Sequence, residues 1–343
     1  MHPKAWWKIS VTAVVLCCLI TAGLAGCSRP AAPPTPISPS AQQATSQDGW
    51  PKTLVNEVGP DITLQRPAER IICLQPNISE MMAAVGAVET VVGVDKYTDY
   101  PPEMTEKPRV GDILKPDYEK IVSLSPDLVV TSRGTPMPVI EKLRGLGVEV
   151  LGLDPLSIDE VFDAMKLLGR ATGHDDTAQT AVQKLQKRRE AIRERVEHAP
   201  GDKHRPRVVF ILSFEPLFVA GAGSFVAELI NEAGARHVIE ITDPAGQQQP
   251  WPQVSKETII AAAPDVLICG LSHGGESMGT EQVMQQLKSD RAWSEIPAVR
   301  NGRVYTINDD LVSRPGPRLI RALEIMARDI HPEISTPVEG GEQ

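Results

Sequence analysis

The chain has 343 residues, 41% of them hydrophobic, with a formal net charge of −9. An acidic chain whose only strongly basic run lies in one helix lacks the electrostatic footprint of a nucleic-acid binder. The length left after the N-terminal segments described next is enough for two lobes of ordinary domain size.

Residues 1–27 form a targeting segment. Lys4 and Lys8 make a positive n-region, an apolar run over 9–22 is too short to span a bilayer comfortably, and Leu24-Ala25-Gly26-Cys27 closes it with small residues. Cleavage before a cysteine resembles the lipobox of bacterial lipoproteins. That resemblance implies that Cys27 is acylated and holds the chain to the outer leaflet of the cytoplasmic membrane or to an outer membrane. The alternative is an uncleaved signal anchor. Residues 28–51 are rich in Pro, Ala, Ser and Gln, cannot bury a core, and read as a disordered tether.

The first lobe, 52–173, opens with a hairpin over 54–64. It then alternates strand 70–74, helix 79–85, strand 91–94, helix 118–124, strand 127–131, helix 139–146 and strand 148–153. Short apolar strands separated by helices predict a parallel sheet covered on both faces. The run 177–199 puts Ala178, Ala181, Val182, Leu185, Ile192 and Val196 on one stripe of a charged helix, between Gly173 and Pro200-Gly201. At ~1.5 Å per residue it would be roughly 35 Å long, the height of a small domain. The connecting helix is assigned to 174–200. The second lobe, 201–332, repeats the plan: strand 207–212, helix 225–232, strand 238–241, helix 256–262, strand 265–269, helix 280–287, strand 303–307 and helix 316–330. Residues 333–343 read as a disordered tail.

Two matches in order suggest duplicated lobes. Glu80, Gly86-Ala87 and Val91 line up with Glu228, Gly234-Ala235 and Val238, and Glu119 with Pro126-Asp127 lines up with Glu257 and Pro264-Asp265. The fold class expected is therefore α/β: two α/β lobes joined by a single long rigid helix, an ordinary surface helix being the plainer alternative. A ligand cleft would lie between the lobes at the carboxyl ends of the strands.

Signals for catalysis are weak. Gly275-Glu276-Ser277-Met278-Gly279 fits the nucleophile-elbow pattern, with Asp309, Asp310 and His331 following in hydrolase order. A polar loop separates it from the preceding strand, however, whereas an elbow sits directly between strand and helix. Gly221-Ala222-Gly223 is followed by Val226 where a dinucleotide fingerprint wants a small residue. The seven histidines are scattered without ligand spacing, so no metal site is expected; His273 alone, in a loop, could offer an axial ligand. Cys73 and Cys269, in equivalent strands of separate lobes, are expected as buried free thiols.

Aromatic residues make up 4% of the chain, so their placement is informative. Tyr97, Tyr100, Phe214, Phe218 and Trp251 all fall on strand-exit loops, as a pocket for a large, flat, partly apolar ligand requires. Arg314 could supply charge-assisted bonds to such a ligand; Arg318 reads as a first-turn surface residue of the last helix. Glu80 completes Asn77-x-x-Glu80, a capping box, while Glu228 occupies the matching place without one. Together they would project from the two lobes on one face and could dock a symmetric partner bearing arginines.

At Tyr97-Thr-Asp-Tyr-Pro-Pro, Leu124-Ser-Pro-Asp-Leu-Val, Ser132-Arg-Gly, Trp251-Pro-Gln-Val-Ser and Arg314-x-x-Pro-Arg318, the chain resembles a known family over residues 54–331. This is the class III periplasmic binding protein family, the ABC-importer substrate-binding proteins with a helical backbone. Its vitamin-B12-binding branch is the most similar. The resemblance implies a rigid strut, no catalysis, no resident cofactor, and delivery of a small metal-chelate ligand to a permease dimer with its ATPase subunits. It implies that Pro76, Tyr97, Phe218, Trp251 and Arg314 line a corrinoid pocket, and that Glu80 and Glu228 meet arginine pockets on the permease. Two tryptophans of the B12 pattern are Ile113 and Ser132 here, and the SRPGPR form occurs widely in siderophore- and haem-type relatives. The expectation is a monomeric, lipid-anchored receptor for a cobalamin-like corrinoid, with an iron–siderophore or haem receptor as alternative and a serine hydrolase as a distant third.

Overall fold

The computed structural model describes residues 49–199, 205–270 and 279–334, which belong to one compact unit of two α/β lobes. The targeting segment with Cys27, most of the tether, and the chain beyond 334 lie outside the described residues.

The first lobe opens with an antiparallel hairpin of β1 (Lys52–Leu54) and β2 (Ile62–Leu64). Its sheet is all parallel, in the order β4-β3-β5-β6, from β3 (Ile71–Cys73), β4 (Val91–Val94), β5 (Leu128–Ser132) and β6 (Val150–Leu153). Alternate residues serve two cores. Ile71, Cys73, Leu128, Val130 and Leu151 join an inner apolar cluster, while Ile72, Val129 and Val150 join an outer one with Ile140 and Leu143. Burial on both faces is why these strands show no polar alternation, each such aliphatic side chain contributing roughly 1.5–3 kcal/mol.

The second lobe departs from the expected plan at its edge. Its sheet runs β11-β10-β7-β8, from β7 (Arg207–Phe214), β8 (Leu217–Val219), β10 (Val266–Gly270) and β11 (Val304–Ile307). β7, β10 and β11 are parallel, but β8 turns back antiparallel on β7. The strand expected over 238–241 is absent; instead β9 (Arg236–His237) pairs briefly with the start of β7. Val208, Phe210, Val266 and Ile268 share the inner cluster with the first lobe, and Val209, Ile211, Leu267 and Cys269 face a separate outer one. Both described cysteines are buried and free, and burial pushes each thiol up to about 12.

The strut is helix Asp175–Glu197, two residues nearer the N-terminus than the apolar stripe suggests. Helix Ile158–Thr172 precedes it, opened by Ser157, whose hydroxyl accepts from the Glu160 N–H at 3.2 Å, and stopped by Gly173 in the left-handed conformation (φ 73°). Asp175 and Asp176 then complement the positive end of the new helix. Ala178, Val182 and Ile192 are buried in the inner cluster beside Leu323 and Met326 of the last helix, Leu319–Ile330. That continuous layer ties the lobes to the strut.

The sequence repeat acquires a physical reason here. Gly86 and Gly234 are both left-handed (φ 81° and 78°), and a Cβ on either would meet the strut, at 2.9 Å from Thr177 Cγ2 and 2.1 Å from Val196 Cγ1 respectively. The two glycines seat the lobes on opposite ends of one helix. Asp127 accepts from the Arg70 N–H at 2.9 Å before β3, and Asp265 accepts from the Arg207 N–H at 2.9 Å at the start of β7. The Pro-Asp pairs thus staple equivalent strands.

Candidate ligand cleft

Between the lobes lies a cleft of about 850 Å³. Its walls are strand exits: Gln75, Pro76 and Asn77 follow β3, Tyr97 follows β4, Ser132 and Arg133 end β5, and Pro155 and Leu156 follow β6. The opposite wall is made by Gly223, Ser224, Phe225, Pro250 and Trp251, with Asp309, Asp310 and Val312 to Pro315 after β11. This is the position in which open α/β sheets present ligands. Of the expected ligand-binding residues, the fold brings Pro76, Tyr97, Trp251 and Arg314 together.

Each aromatic is held by identifiable contacts. Trp251 packs edge-on against Phe210, with centroids 6.2 Å apart at 62°. Its loop is pinned by the Gly221 N–H donating to Pro250 O at 2.9 Å. A Cβ at Gly221 would fall 2.0 Å from Gln249 O and one at Gly223 2.6 Å from Gln248 O. The glycines of Gly221-Ala222-Gly223 therefore let this loop approach, which accounts for them without a nucleotide. Tyr97 is 60% exposed, with Lys96 Nζ 4.6 Å over its ring. Asp95 accepts from the Tyr97 N–H at 2.7 Å, and burial pushes this carboxyl up to about 6.

Phe214 and Phe218 do not line the cleft. Phe214 stacks edge-on with Trp293 at 6.0 Å in the outer cluster of the second lobe, and Phe218 lies in β8, bridged to Gln253. The reason is the β7–β8 turn, which folds the apparent exit loop back as an edge strand and carries both rings away from the opposing lobe. Ile113 packs with the outer cluster of the first lobe, and Ser132 lines the cleft, its hydroxyl 3.4 Å from Asn77 Nδ2. Ser277 and His273 lie outside the described residues. His331 sits after the last helix, 3.3 Å from Glu333, and not in the cleft. Among the described residues no cluster of His, Cys, Asp or Glu is placed to hold a metal ion.

The polar corner of the cleft corrects two further expectations. Asn77 and Glu80 form no capping box: helix Pro76–Ala84 begins after Gln75, with Pro76 at the position where a missing N–H costs nothing. Nor is Glu80 a projecting carboxylate. Its side chain is 0% exposed and takes two bonds from Arg318 of the other lobe, at 2.9 and 2.6 Å. Burial pushes the Glu80 carboxyl up, against the pull of Arg318 and Arg314. Arg318 is thus not a surface residue; its guanidinium also lies 4.5 Å over the Tyr100 ring. Arg314 bridges both lobes, to Asp99 at 2.5 and 3.2 Å and to Asp310 at 2.9 Å. Burial pushes the Asp310 carboxyl up, whereas at Asp99 the bonds from Arg314 outweigh burial and hold it down.

Glu228 is half-buried, accepting from the Ile158 N–H at 3.1 Å and lying 3.4 Å from Arg189 of the strut. It borders a second groove of about 890 Å³ between the strut and helix Phe225–Glu232, which shares Leu156, Gly223 and Ser224 with the cleft. Among the described residues that groove has no opposed aromatic faces. The cleft is the better ligand site. Arg133, Leu156 and Phe225 are not singled out as ligand-binding candidates by the sequence, although all fall at strand exits, helix starts or the loops following them. Reading those positions in every strand would have found them.

The model of the periplasmic binding protein family matches residues 71–311. An uncharacterised ABC transporter substrate-binding lipoprotein, YvrC of Bacillus subtilis strain 168, is 30% identical over 314 residues, 90% of this chain and 93% of its own length. The crystal structure of the periplasmic vitamin B12 binding protein BtuF of Vibrio cholerae aligns with a TM-score of 0.65 at 28% identity, covering 79% of this chain and 99% of BtuF. The periplasmic heme-binding protein BhuT, in complex with two hemes, aligns with a TM-score of 0.67 at 26% identity, covering 78% of this chain and 99% of BhuT. The chain belongs to the periplasmic binding protein family, the non-enzymatic, extracytoplasmic ligand-binding components of ABC importers, which work with a permease and its ATPase.

Proposed function

We propose that this member of the periplasmic binding protein family captures a cobalamin-like corrinoid in the cleft and presents it to its permease, held at the membrane by acylation of Cys27 after removal of the signal segment. The observation that carries the ligand is the pairing of Pro76 and Tyr97 on one wall with Phe225 and Trp251 on the other. Two apolar, partly aromatic walls about an 850 Å³ space suit a flat macrocycle. Likeness to a vitamin B12 binding protein over 99% of that protein supports the same ligand. A haem or ferric-siderophore ligand is the second reading, favoured by the comparable likeness to BhuT.

Calorimetric titration of the full chain in detergent with cyanocobalamin, haem and ferric siderophores tests the ligand. Saturable one-to-one binding of cobalamin is expected. Trp251→Ala should weaken it by about tenfold or more, as loss of an aromatic anchor does. Binding of a ferric complex with none of cobalamin would replace the primary reading by the second. Glu228 is proposed to meet a basic permease surface; with Glu80 sequestered, it is the member of the expected docking pair left half-exposed. Glu228→Lys should lower uptake in cells and leave ligand affinity intact. Unchanged uptake would remove Glu228 from the docking face.

A further inference from the structure

The two walls of the cleft differ in the hydrogen bonds they leave open. On the second-lobe wall Phe225, Pro250 and Trp251 are apolar. The Ser224 hydroxyl beside them is committed, donating to Gly221 O at 2.7 Å and accepting the Ala227 N–H at 3.2 Å. On the first-lobe wall, β3 and β5 run side by side and give way to polar residues, Gln75 shortly after β3 and Ser132 as the last residue of β5. Gln75 Nε2 donates to Arg133 O at 2.9 Å, and its Oε1 is buried with no donor among the described residues. Ser132 Oγ accepts from Asn77 Nδ2 at 3.4 Å, which leaves it a lone pair and its proton. Arg133 next to it is neutralised by Asp154, with Nε 2.6 Å from Oδ1 and Nη2 2.9 Å from Oδ2.

We propose that Gln75 selects the ligand by the group bound to its metal. The first-lobe wall takes a macrocycle whose axial group donates a hydrogen bond, such as metal-bound water, over one whose axial group only accepts, such as cyanide. This rests on the proposed function, since it concerns the face that a metal macrocycle turns to the first lobe. A flat guest held between two walls shows one face to each. Its less polar face suits Phe225 and Trp251, and its polar axial group suits the floor between Gln75 and Ser132. A buried amide oxygen without a donor keeps the full cost of its desolvation until an N–H or O–H reaches it. The terminal torsion of a glutamine amide is soft, so a donor in the cleft that Gln75 lines can draw Oε1 round to meet it. Metal-bound water carries two polarised O–H groups, one for Gln75 Oε1 and one for the remaining lone pair of Ser132 Oγ. Cyanide can take the Ser132 proton, but it leaves Gln75 Oε1 unmet. Selection thus falls to Gln75, while Ser132 serves either axial group.

The probes are aquacobalamin and cyanocobalamin, titrated into the full chain in detergent, in mildly acidic non-coordinating buffer where the cobalt-bound water keeps its protons. The visible spectrum of the bound corrinoid shows whether that water stays on cobalt, and its exchange for a protein ligand overturns the inference. Wild type is expected to bind the aqua form about tenfold or more tighter than the cyano form. Asp309 and Asp310 also line the cleft and favour the cationic aqua form whatever Gln75 does, so the deciding quantity is the change in that ratio. Gln75→Met, close in shape but without the oxygen, should lower the ratio by about fivefold or more. Gln75→Glu keeps an acceptor and should hold the ratio at or above the wild-type value. Thermal melts establish that each variant is folded, and if one is not, the other decides. A wild-type ratio near one, a ratio unmoved in Gln75→Met, or one that falls in Gln75→Glu overturns the inference. If neither cobalamin binds, the ligand reading fails separately, and the inference is read on ferric haem. There Gln75→Met should raise the cyanide affinity of the bound haem by about fivefold, since its water is no longer held, and an unchanged affinity overturns the inference. Binding of a coordinatively saturated siderophore alone, which has no axial water, overturns it as well.

Discussion

Glu80 and Glu228 hold matching places in the two lobes, and each reaches across to the opposite one. Glu80 on helix Pro76–Ala84 takes Arg318 from the second lobe, and Glu228 on helix Phe225–Glu232 accepts the Ile158 N–H from the first. The surroundings then diverge. The Glu80 side chain is sealed at 0% exposure against a bidentate arginine, while the Glu228 side chain keeps 27% and meets Arg189 only at 3.4 Å, that arginine being engaged by Glu232 and Asp159. A duplicated local motif has been used once as an internal lock and once as a partly wetted contact. What separates them is the neighbour that the opposite lobe supplies: a guanidinium inside the cleft corner on one side, a helix N-terminus at the rim on the other. Desolvation makes the first contact expensive to break and leaves the second cheap.

That asymmetry is open to direct attack. Arg318→Ala should cause the largest loss, roughly 3–5 kcal/mol in denaturant unfolding, because it leaves a buried carboxylate without its hydrogen-bonded cation, Arg314 staying 3.8 Å away. Glu80→Leu combined with Arg318→Met should recover most of that loss, since an apolar pair needs no desolvation. A double variant as unstable as Arg318→Ala would mean that geometry, not stranded charge, sets the cost. Glu228→Ala should cost only about 1 kcal/mol, the worth of one backbone bond at a helix start and one weak ion pair. Equal losses at the two sites would dissolve the distinction between lock and rim.

Much of the architecture was legible because it rests on local patterns. Doubly buried strands such as Ile71–Cys73 and Val266–Gly270 announce themselves as short unalternating apolar runs, and the strut by its stripe. The repeat was visible through Gly86 with Gly234 and Asp127 with Asp265, each of which has a backbone duty. The antiparallel return of β8 was not visible, since Phe214-Glu215-Pro216-Leu217 reads equally as an exit loop, and that moved two aromatics out of the cleft. The pairing of Glu80 with Arg318 joins residues 238 positions apart and has no local signature. Asn77 and Glu80 even spell a capping box, which Pro76 overrides by starting the helix two residues earlier.

The smallest expected effect concerns the root of the first-lobe wall. Asp95 is 2% exposed, accepts the Tyr97 N–H, and through that bond fixes the loop that carries Tyr97 into the cleft and Asp99 to Arg314. Burial, helped by the charge of Asp112, pushes its carboxyl from 3.8 up to about 6. Between those values the native chain binds more protons than the unfolded one. The contribution of Asp95 therefore favours the fold below about 4 and is lost as pH rises through about 6. At the matching loop of the second lobe Trp251 is held by backbone bonds from Gly221 and Val219 that do not titrate, and the titratable neighbour there is buried His237, bonded to Ala220 O and shifted down by burial rather than up. Asp95→Asn keeps an oxygen for the Tyr97 N–H and removes the titration. Unfolding free energies measured from pH 4 to 7 should then fall less steeply with rising pH than those of wild type, the remaining slope belonging to Glu80, Asp310 and other buried acids, while Trp251 fluorescence, reporting the other wall, keeps the wild-type profile. A variant whose slope over that range matches wild type would assign the pH response to another group and leave both walls equally indifferent to pH.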